Sequence, residues 1–242
     1  MKVVAIIQAR MGSTRLPGKV LTDLAGEPML ARVVERTGRA ETLDEVVVAT
    51  TVETADAAIV ELCAARGWPC FRGRQDDVLD RYYRVAVEHQ ADVVVRITSD
   101  CPLIEPGVVD RVAGVFLRNQ PNVDYASNTL EPRTFPRGLD TEVMRFDALE
   151  RAWLNAKDTP SREHVTSYIH GHPEQFRLVA VRNDVDYSHM RWCVDTPEDR
   201  DFAVRVYEHF GHGRFSWQEV LAVLQDHPRW MELNRNVRQK VV

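Results

Sequence analysis

The sequence predicts an α/β fold, a largely parallel sheet with helices on both faces. Short apolar runs at Val3–Gln8, Glu45–Ala49 and Asp92–Ile97 alternate with longer segments of helical periodicity. Alternating strand and helix is the pattern of βαβ crossovers, which set successive strands parallel. Asp92–Ile97 also holds three consecutive valines, as a strand covered on both faces would. In such sheets ligands bind outside the carboxyl ends of the strands. That places the loops Ala9–Lys19, Thr50–Asp56 and Thr98–Leu103 on one edge.

The elements follow in order. Val3–Gln8 is a buried strand, and a helix runs near Pro28–Arg39. After Glu45–Ala49, the helix Ala55–Arg66 has Thr54 as its N-cap and Gly67 just past its end. A short strand at Cys70–Phe71 leads to a helix over Asp77–Gln90, with tyrosines and apolar residues at helical spacing. The strand Asp92–Ile97 and the helix Val108–Asn119 come next. Asn119–Leu139, rich in Asn, Pro and Arg, reads as a long connection. A strand at Thr141–Phe146, a helix from Asp147, a helix over Ser161–Ile169 and a strand at Phe176–Val181 follow. Residues 1–242 read as one domain, with a subdomain inserted near 119–181 whose elements are not needed to complete the sheet. Arg191–Val194 returns to strand character. Thr196-Pro197-Glu198-Asp199 then opens a helix with an N-cap, a first-turn proline and two acids. Trp217–Leu224 is the last amphipathic helix.

Composition narrows the function. A chain of 242 residues with 44% apolar residues can bury a sizeable core. A net charge of −5 without a basic block argues against general nucleic-acid binding. No apolar span is long enough for a membrane helix, and no leader is visible. Cys63, Cys70, Cys101 and Cys193 form no C-x-x-C pair and no zinc spacing. They read as reduced cysteines of a cytoplasmic protein.

The loop after the first strand carries the strongest signal. It holds Gly12, Ser13, Pro17 and Gly18, with Arg10, Arg15 and Lys19 among them. Cations in a glycine-bearing loop suit a polyanion lying across backbone N–H groups, and a triphosphate fits. A solvated surface turn is the alternative. The loop is not a P-loop: five residues separate Gly12 from Gly18, and Val20 stands where the metal-binding hydroxyl belongs. No dinucleotide fingerprint is present either.

Asp100 follows the buried valine strand, opposite the cationic loop, where a carboxylate suits a divalent metal. Magnesium takes one or two protein carboxylates and completes its shell from phosphate and water. Asp195 ends the Arg191–Val194 run in the same way, although its D-T-P-E-D setting also reads as a helix start. Arg72 could reach a phosphate or an acceptor. Asp76, Asp77 and Asp80 read as helix caps. Arg137 and Glu142 at a loop–strand junction, and Arg162 and His164 in a dense polar helix start, are candidates for an acceptor site. A structural histidine is the alternative for His164. No nucleophile elbow or Cys/His pair supports covalent acyl chemistry.

The segments IIQARMGSTRLPGK, ATTVETAD, FRGRQDDVLDRYY, VVRITSDCPLI, PRGLDTEV, REHVTSYI and RWCVDTPEDR together resemble the SpsF-type cytidylyltransferases. That group is named for a spore-coat polysaccharide protein and is related to CMP-acylneuraminate and CMP-KDO synthetases. The resemblance runs from near the start of the chain to the DTPED segment. It implies a glycosyltransferase-A-like, nucleotide-diphospho-sugar transferase fold. It also implies CTP and Mg²⁺ as ligands, and transfer of CMP to a sugar with release of pyrophosphate. By position, Ala9, Arg10, Arg15 and Lys19 match the triphosphate loop. Ala49, Thr50 and Thr51 match the turn near the cytosine, and Asp100 and Asp195 match the metal-binding aspartates. Arg10, Lys19, Asp100 and Asp195 are thus the expected catalytic set, with Gly12, Ser13 and Arg72 also on the nucleotide.

The expected function is Mg²⁺-dependent transfer of CMP from CTP to an acidic sugar of surface-polysaccharide synthesis. The expected assembly is a cytoplasmic homodimer. The alternatives are a sugar-1-phosphate nucleotidyltransferase using another NTP and a catalytically idle nucleotide- or sugar-binding protein.

Overall fold

Along the first strand, β1 (Val3–Gln8), Val3, Ala5 and Ile7 face one side and Val4 and Ile6 the other, and all five are buried. The two sets belong to two separate apolar cores, as the period-2 geometry of a strand requires when both faces are covered. The same division holds in β2 (Glu45–Thr51), where Val48 meets one core and Val47 and Ala49 the other. A computed structural model describes residues 1–239. In it, β1, β2, β3 (Cys70–Gly73) and β4 (Val93–Thr98) pair in parallel in the order 3-2-1-4. The sheet continues from β4 through β6 (Glu142–Arg145) and β5 (Tyr125–Ser127) to β7 (Leu178–Ala180). Only β6 runs against its neighbours, so the seven-stranded sheet is mostly parallel, as the sequence predicts.

Helices cover both faces. One core gathers side chains from α1 (Met29–Thr37), α2 (Ala57–Arg66), α4 (Pro106–Arg118), α8 (Pro197–Phe210) and α9 (Trp217–Asp226). The other gathers those of α3 (Val78–Glu88), α5 (Phe146–Asn155) and α7 (Ser167–Gly171). Local signals set the ends. Asp77 caps α3 by accepting from the Asp80 amide at 2.9 Å. Thr196 and Asp199 cap α8 reciprocally, with Pro197 in its first turn.

Four expectations are corrected. Thr54 is not the cap of α2. It starts a 3₁₀ turn, Thr54–Asp56, that precedes the helix. The helix over Ser161–Ile169 is two short ones, α6 (Thr159–Glu163) and α7, broken where Val165 takes a left-handed φ of 55°. Arg191–Val194 is not a sheet strand. It is extended but makes only an isolated bridge to Arg137, and its amide at Val194 donates to the Asp100 carbonyl. Buried Trp192 and Val194 gave it a strand's apolarity without a strand's partners. Finally, residues 119–181 are not dispensable to the sheet, because they supply β5, β6 and β7.

The topology fixes where a ligand can sit. The chain leaves β1 to form β2 and β3 on one side and returns to form β4 on the other. The crevice at this reversal lies between the carboxyl ends of β1 and β4, where Gln8 pairs with Thr98.

Candidate active site

The loop leaving β1 is pinned before any ligand arrives. The Met11 amide donates to Asp56 Oδ1 at 2.7 Å, and the Met11 carbonyl accepts from the amides of Ser13 and Gly18 at 3.0 and 3.1 Å. Gly18, at a φ of 70°, then turns the chain into the 3₁₀ turn Lys19–Leu21. That turn sends the Lys19 ammonium across the crevice. Its Nζ donates to Asp195 Oδ1 at 2.8 Å, to Asp100 Oδ2 at 3.2 Å and to the Val194 carbonyl at 2.9 Å.

Two carboxylates from distant parts of the chain thus meet on one cation. Burial pushes the Asp100 carboxyl up, but Lys19 and the Thr98 hydroxyl more than offset it, so Asp100 is held below the usual carboxylate range. Burial likewise works against the charge on Lys19, and the two aspartates outweigh it. Asp195 is steered from its other side as well. Its Oδ2 accepts from Arg15 at 2.9 Å and from Arg191 at 2.7 Å. Arg191 is itself anchored on buried Asp199, whose Oδ2 also accepts from the Asp195 amide at 3.0 Å. Asp100 and Asp195 offer hard oxygen donors on the same side of a phosphate-sized cleft. Among the described residues no cluster of three or more His, Cys, Asp or Glu side chains forms a fuller cage. Two carboxylates, with the shell completed by phosphate and water, fit magnesium.

The cleft above this point has a volume of about 340 Å³. Ala9, Arg10, Gly12, Ser13, Arg15, Lys19, Asp100 and Asp195 all line it, so the structure brings the predicted phosphate loop and both aspartates together. His164, the residue that ends α6, lines it too.

The other candidates lie elsewhere. Ala49, Thr50 and Thr51 are buried at the end of β2, and Thr51 donates its hydroxyl to Asp56. Arg72 acts as a strut for the same turn, donating to the carbonyls of Thr51 at 2.9 Å and Glu53 at 3.1 Å. Arg162 is not among the residues that line this cleft. It clasps Asp77 and the Trp153 carbonyl, tying α6 to α3 and α5. Glu142 is buried, paired with Arg96 and hydrogen-bonded by Tyr125 and Thr166. Arg137 lines a separate cavity of about 420 Å³ with Trp192, Met231 and Asn234. Arg191 and Arg81 escaped the sequence reading. Arg191 stands four residues before Asp195, at the start of a motif already singled out, and Arg81 is a charged residue within the buried stripe of α3.

The chain matches the cytidylyltransferase family over residues 4–223, most of its length and all of this cleft. It belongs to that family. The cytidylyltransferase is 30% identical over 234 residues to the spore coat polysaccharide biosynthesis protein SpsF of Bacillus subtilis, spanning 93% of this chain and 95% of the relative. It is 41% identical over 152 residues to a 3-deoxy-manno-octulosonate cytidylyltransferase of Geobacter sulfurreducens, covering 60% of this chain and 57% of that one. A solved cytidylyltransferase structure from Leptospira borgpetersenii superimposes with a TM-score of 0.92 at 33% identity, over 100% of this chain and 99% of the other. The fold is that of the nucleotide-diphospho-sugar transferases, and the protein is a nucleotidyltransferase enzyme that uses CTP.

Proposed function

We propose that this cytidylyltransferase transfers CMP from CTP to an acidic, 2-keto acid type of sugar destined for a surface polysaccharide. The observation that carries the proposal is the convergence of Asp100, Asp195 and Lys19 in a cleft rimmed by Arg10 and Arg15. Asp100 and Asp195 would hold Mg²⁺, which supplies charge neutralisation at the phosphate oxygens. Arg10, Arg15 and Lys19 bind the triphosphate and spread its charge. Positioning and electrostatics of this kind lower the barrier. An acceptor oxygen bonds to the α-phosphorus as the bond to the bridging oxygen of pyrophosphate breaks. No enzyme nucleophile takes part.

Of the acceptor candidates, His164 lines the cleft, and we assign it to the acceptor. Arg10 keeps its guanidinium near the cleft, its Nη2 only 3.8 Å from Glu163 Oε1 at a half-exposed site. The acidic-sugar reading is supported by the partial likeness to the octulosonate enzyme, and the polysaccharide role by the likeness to SpsF. Cytoplasmic residence is supported by four cysteines that are all free. We also place a homodimer interface in residues 119–181.

Pyrophosphate release tests the reading, with each NTP offered against a panel of 2-keto acid sugars and sugar 1-phosphates, with and without EDTA. The expected result is release with CTP and a 2-keto acid sugar, abolished by EDTA and restored by Mg²⁺. Release with a sugar 1-phosphate and a different NTP would overturn it.

A further inference from the structure

Each oxygen of Asp195 has its own set of partners. Oδ1 turns to the side of Asp100, accepting at 2.8 Å from the Lys19 ammonium that also reaches Asp100. Oδ2 accepts instead from Arg191 at 2.7 Å and from Arg15 at 2.9 Å. Arg15 comes from the cleft loop and is partly exposed, whereas the Arg191 side chain is buried. Its guanidinium works as a fork. Nη2 donates to Asp195 Oδ2 and, at 3.0 Å, to Asp199 Oδ2, while Nε donates to Asp199 Oδ1 at 2.8 Å. Asp199 is itself immobilised at the start of α8, because its Oδ2 also accepts from the amides of Asp195 and Thr196 at 3.0 and 3.1 Å. A carboxylate tied to the first turn of a helix and a planar guanidinium paired with it make a stiff strut against Asp195.

The strut is closed by residues that follow α9. Asn234 comes after the 3₁₀ turn Pro228–Glu232 and is 5% exposed. Its Nδ2 donates to the Arg191 carbonyl at 2.9 Å and to Asp199 Oδ1 at 3.0 Å. An amide nitrogen carries two donors, so one Asn side chain ties the backbone of Arg191 to the carboxylate of Asp199. Gln239 accepts from the remaining Arg191 nitrogen, Nη1. Arg191, Asp199 and Asn234 are not among the residues that line the cleft of Asp100 and Asp195; Arg191 and Asn234 line the other cavity. Asn234 also lies past residue 223, where the family match ends. Its route to the chemistry therefore runs through Asp195.

We propose that Arg191, Asp199 and Asn234 are positioning residues that hold back Asp195 Oδ2 and keep Oδ1 beside Asp100, the pose in which the pair takes one divalent cation. The inference rests on the reading of Asp100 and Asp195 as the metal pair. Groups that hydrogen-bond a metal-binding carboxylate fix its direction, and losing one costs about tenfold to a hundredfold in metal affinity. Charge and position make opposite demands on Arg191. As a cation near the site it repels a divalent ion, so by charge alone its removal tightens metal binding. As a strut it aims the carboxylate, so its removal weakens metal binding. Asn234 is uncharged, and its effect is one of position only.

The test is Mn²⁺ binding followed by electron paramagnetic resonance for wild type, Arg191→Lys, Arg191→Met, Asn234→Ala and Asp195→Asn. Thermal melts serve as the fold control, and calorimetric binding of CMP without metal reports on the rest of the cleft. Arg191→Lys keeps the charge and loses the fork. Both Arg191 variants and Asn234→Ala should weaken Mn²⁺ binding by at least about tenfold, while CMP affinity changes by less than about twofold. The Mg²⁺ requirement for turnover should rise in step. Folded variants that bind Mn²⁺ as wild type does would overturn the proposal. So would tighter binding by Arg191→Met, which would make Arg191 a charge partner alone, or a parallel loss of CMP affinity, which would mean a disturbed cleft. Asn234→Ala decides the matter if neither Arg191 variant folds. Mn²⁺ binding that is unchanged in Asp195→Asn would instead defeat the underlying metal reading.

Discussion

Asp100 is fixed by groups that do not depend on its negative charge alone. The Thr98 hydroxyl donates to its Oδ1 at 2.6 Å and Lys19 reaches its Oδ2. Asp100→Asn keeps the shape of that side chain while removing the charge that a metal requires. The folded variant should lose at least about a hundredfold in turnover, in line with several kcal/mol of metal-ion charge stabilisation. Near-normal turnover would remove Asp100 from the metal site. In the proposed function, Lys19 and Arg15 would act on the same charge from the nucleotide side. Replacing either with Ala should raise the CTP requirement far more than that for the acceptor, and saturation kinetics in both substrates separates the two. An acceptor effect without a CTP effect would mean that the substrates lie the other way round. Lys19, Asp100 and Asp195 were legible in the sequence because each stands in a loop after an apolar run, where a sheet edge gathers ligands. The internal partners of Arg162 and Glu142 were not legible, for a physical reason. Their partners Asp77 and Arg96 lie 85 and 46 residues away in the chain. A charged side chain near a loop looks free until the fold supplies its counter-ion.

Glu142 shows what such a hidden pair does among elements. It sits on β6, receives Arg96 from β4 and Tyr125 from β5, and accepts from Thr166 in the broken turn before α7. One carboxylate therefore ties the antiparallel strand to its neighbours and to the turn that follows His164. Burial raises its proton affinity, yet Arg96, Thr166 and Tyr125 together hold Glu142 below the usual carboxylate range. The unfolded chain thus takes up this proton first as pH falls. The stabilisation is fully present above the unfolded value of about 4.3 and is lost as pH drops through the lower folded value. Glu142→Gln should cost about 3 kcal/mol at neutral pH, the scale of a broken buried pair. Its difference from wild type should shrink as thermal melts are taken below about pH 4. A difference that does not change over that range would mean that the carboxylate charge is not what holds these strands. The strands themselves were readable because double burial writes near-continuous apolar runs. The break at Val165 was not, because it rests on a long-range bond from Thr166 rather than on a local glycine or proline.

At the scale of the whole molecule, the first four strands form the parallel half that the repeating strand–helix pattern announced. The other half depends on residues 119–181, where the strands at Thr141–Phe146 and Phe176–Val181 were legible and β5, inside the expected connection Asn119–Leu139, was not. β5 has three residues, fewer than the run needed to tell alternation from chance. Because these residues both build the sheet and hold His164 of the cleft wall, an interface there would couple assembly to that wall. Leu154 gives this a handle. It lies on α5 and, at 53% exposed, is the one large apolar side chain of 119–181 left open to solvent among the described residues. A twofold dimer through this region would bury it in a self-complementary patch of the usual size, about 800 Å² per subunit. Light scattering at micromolar concentration should give twice the chain mass of 27.7 kDa for wild type and the single mass for Leu154→Glu. Both proteins should retain CTP binding, because the Ala9–Lys19 loop and both aspartates lie outside 119–181. A monomeric wild type would end the dimer proposal. A dimer that survives Leu154→Glu would move its interface away from α5.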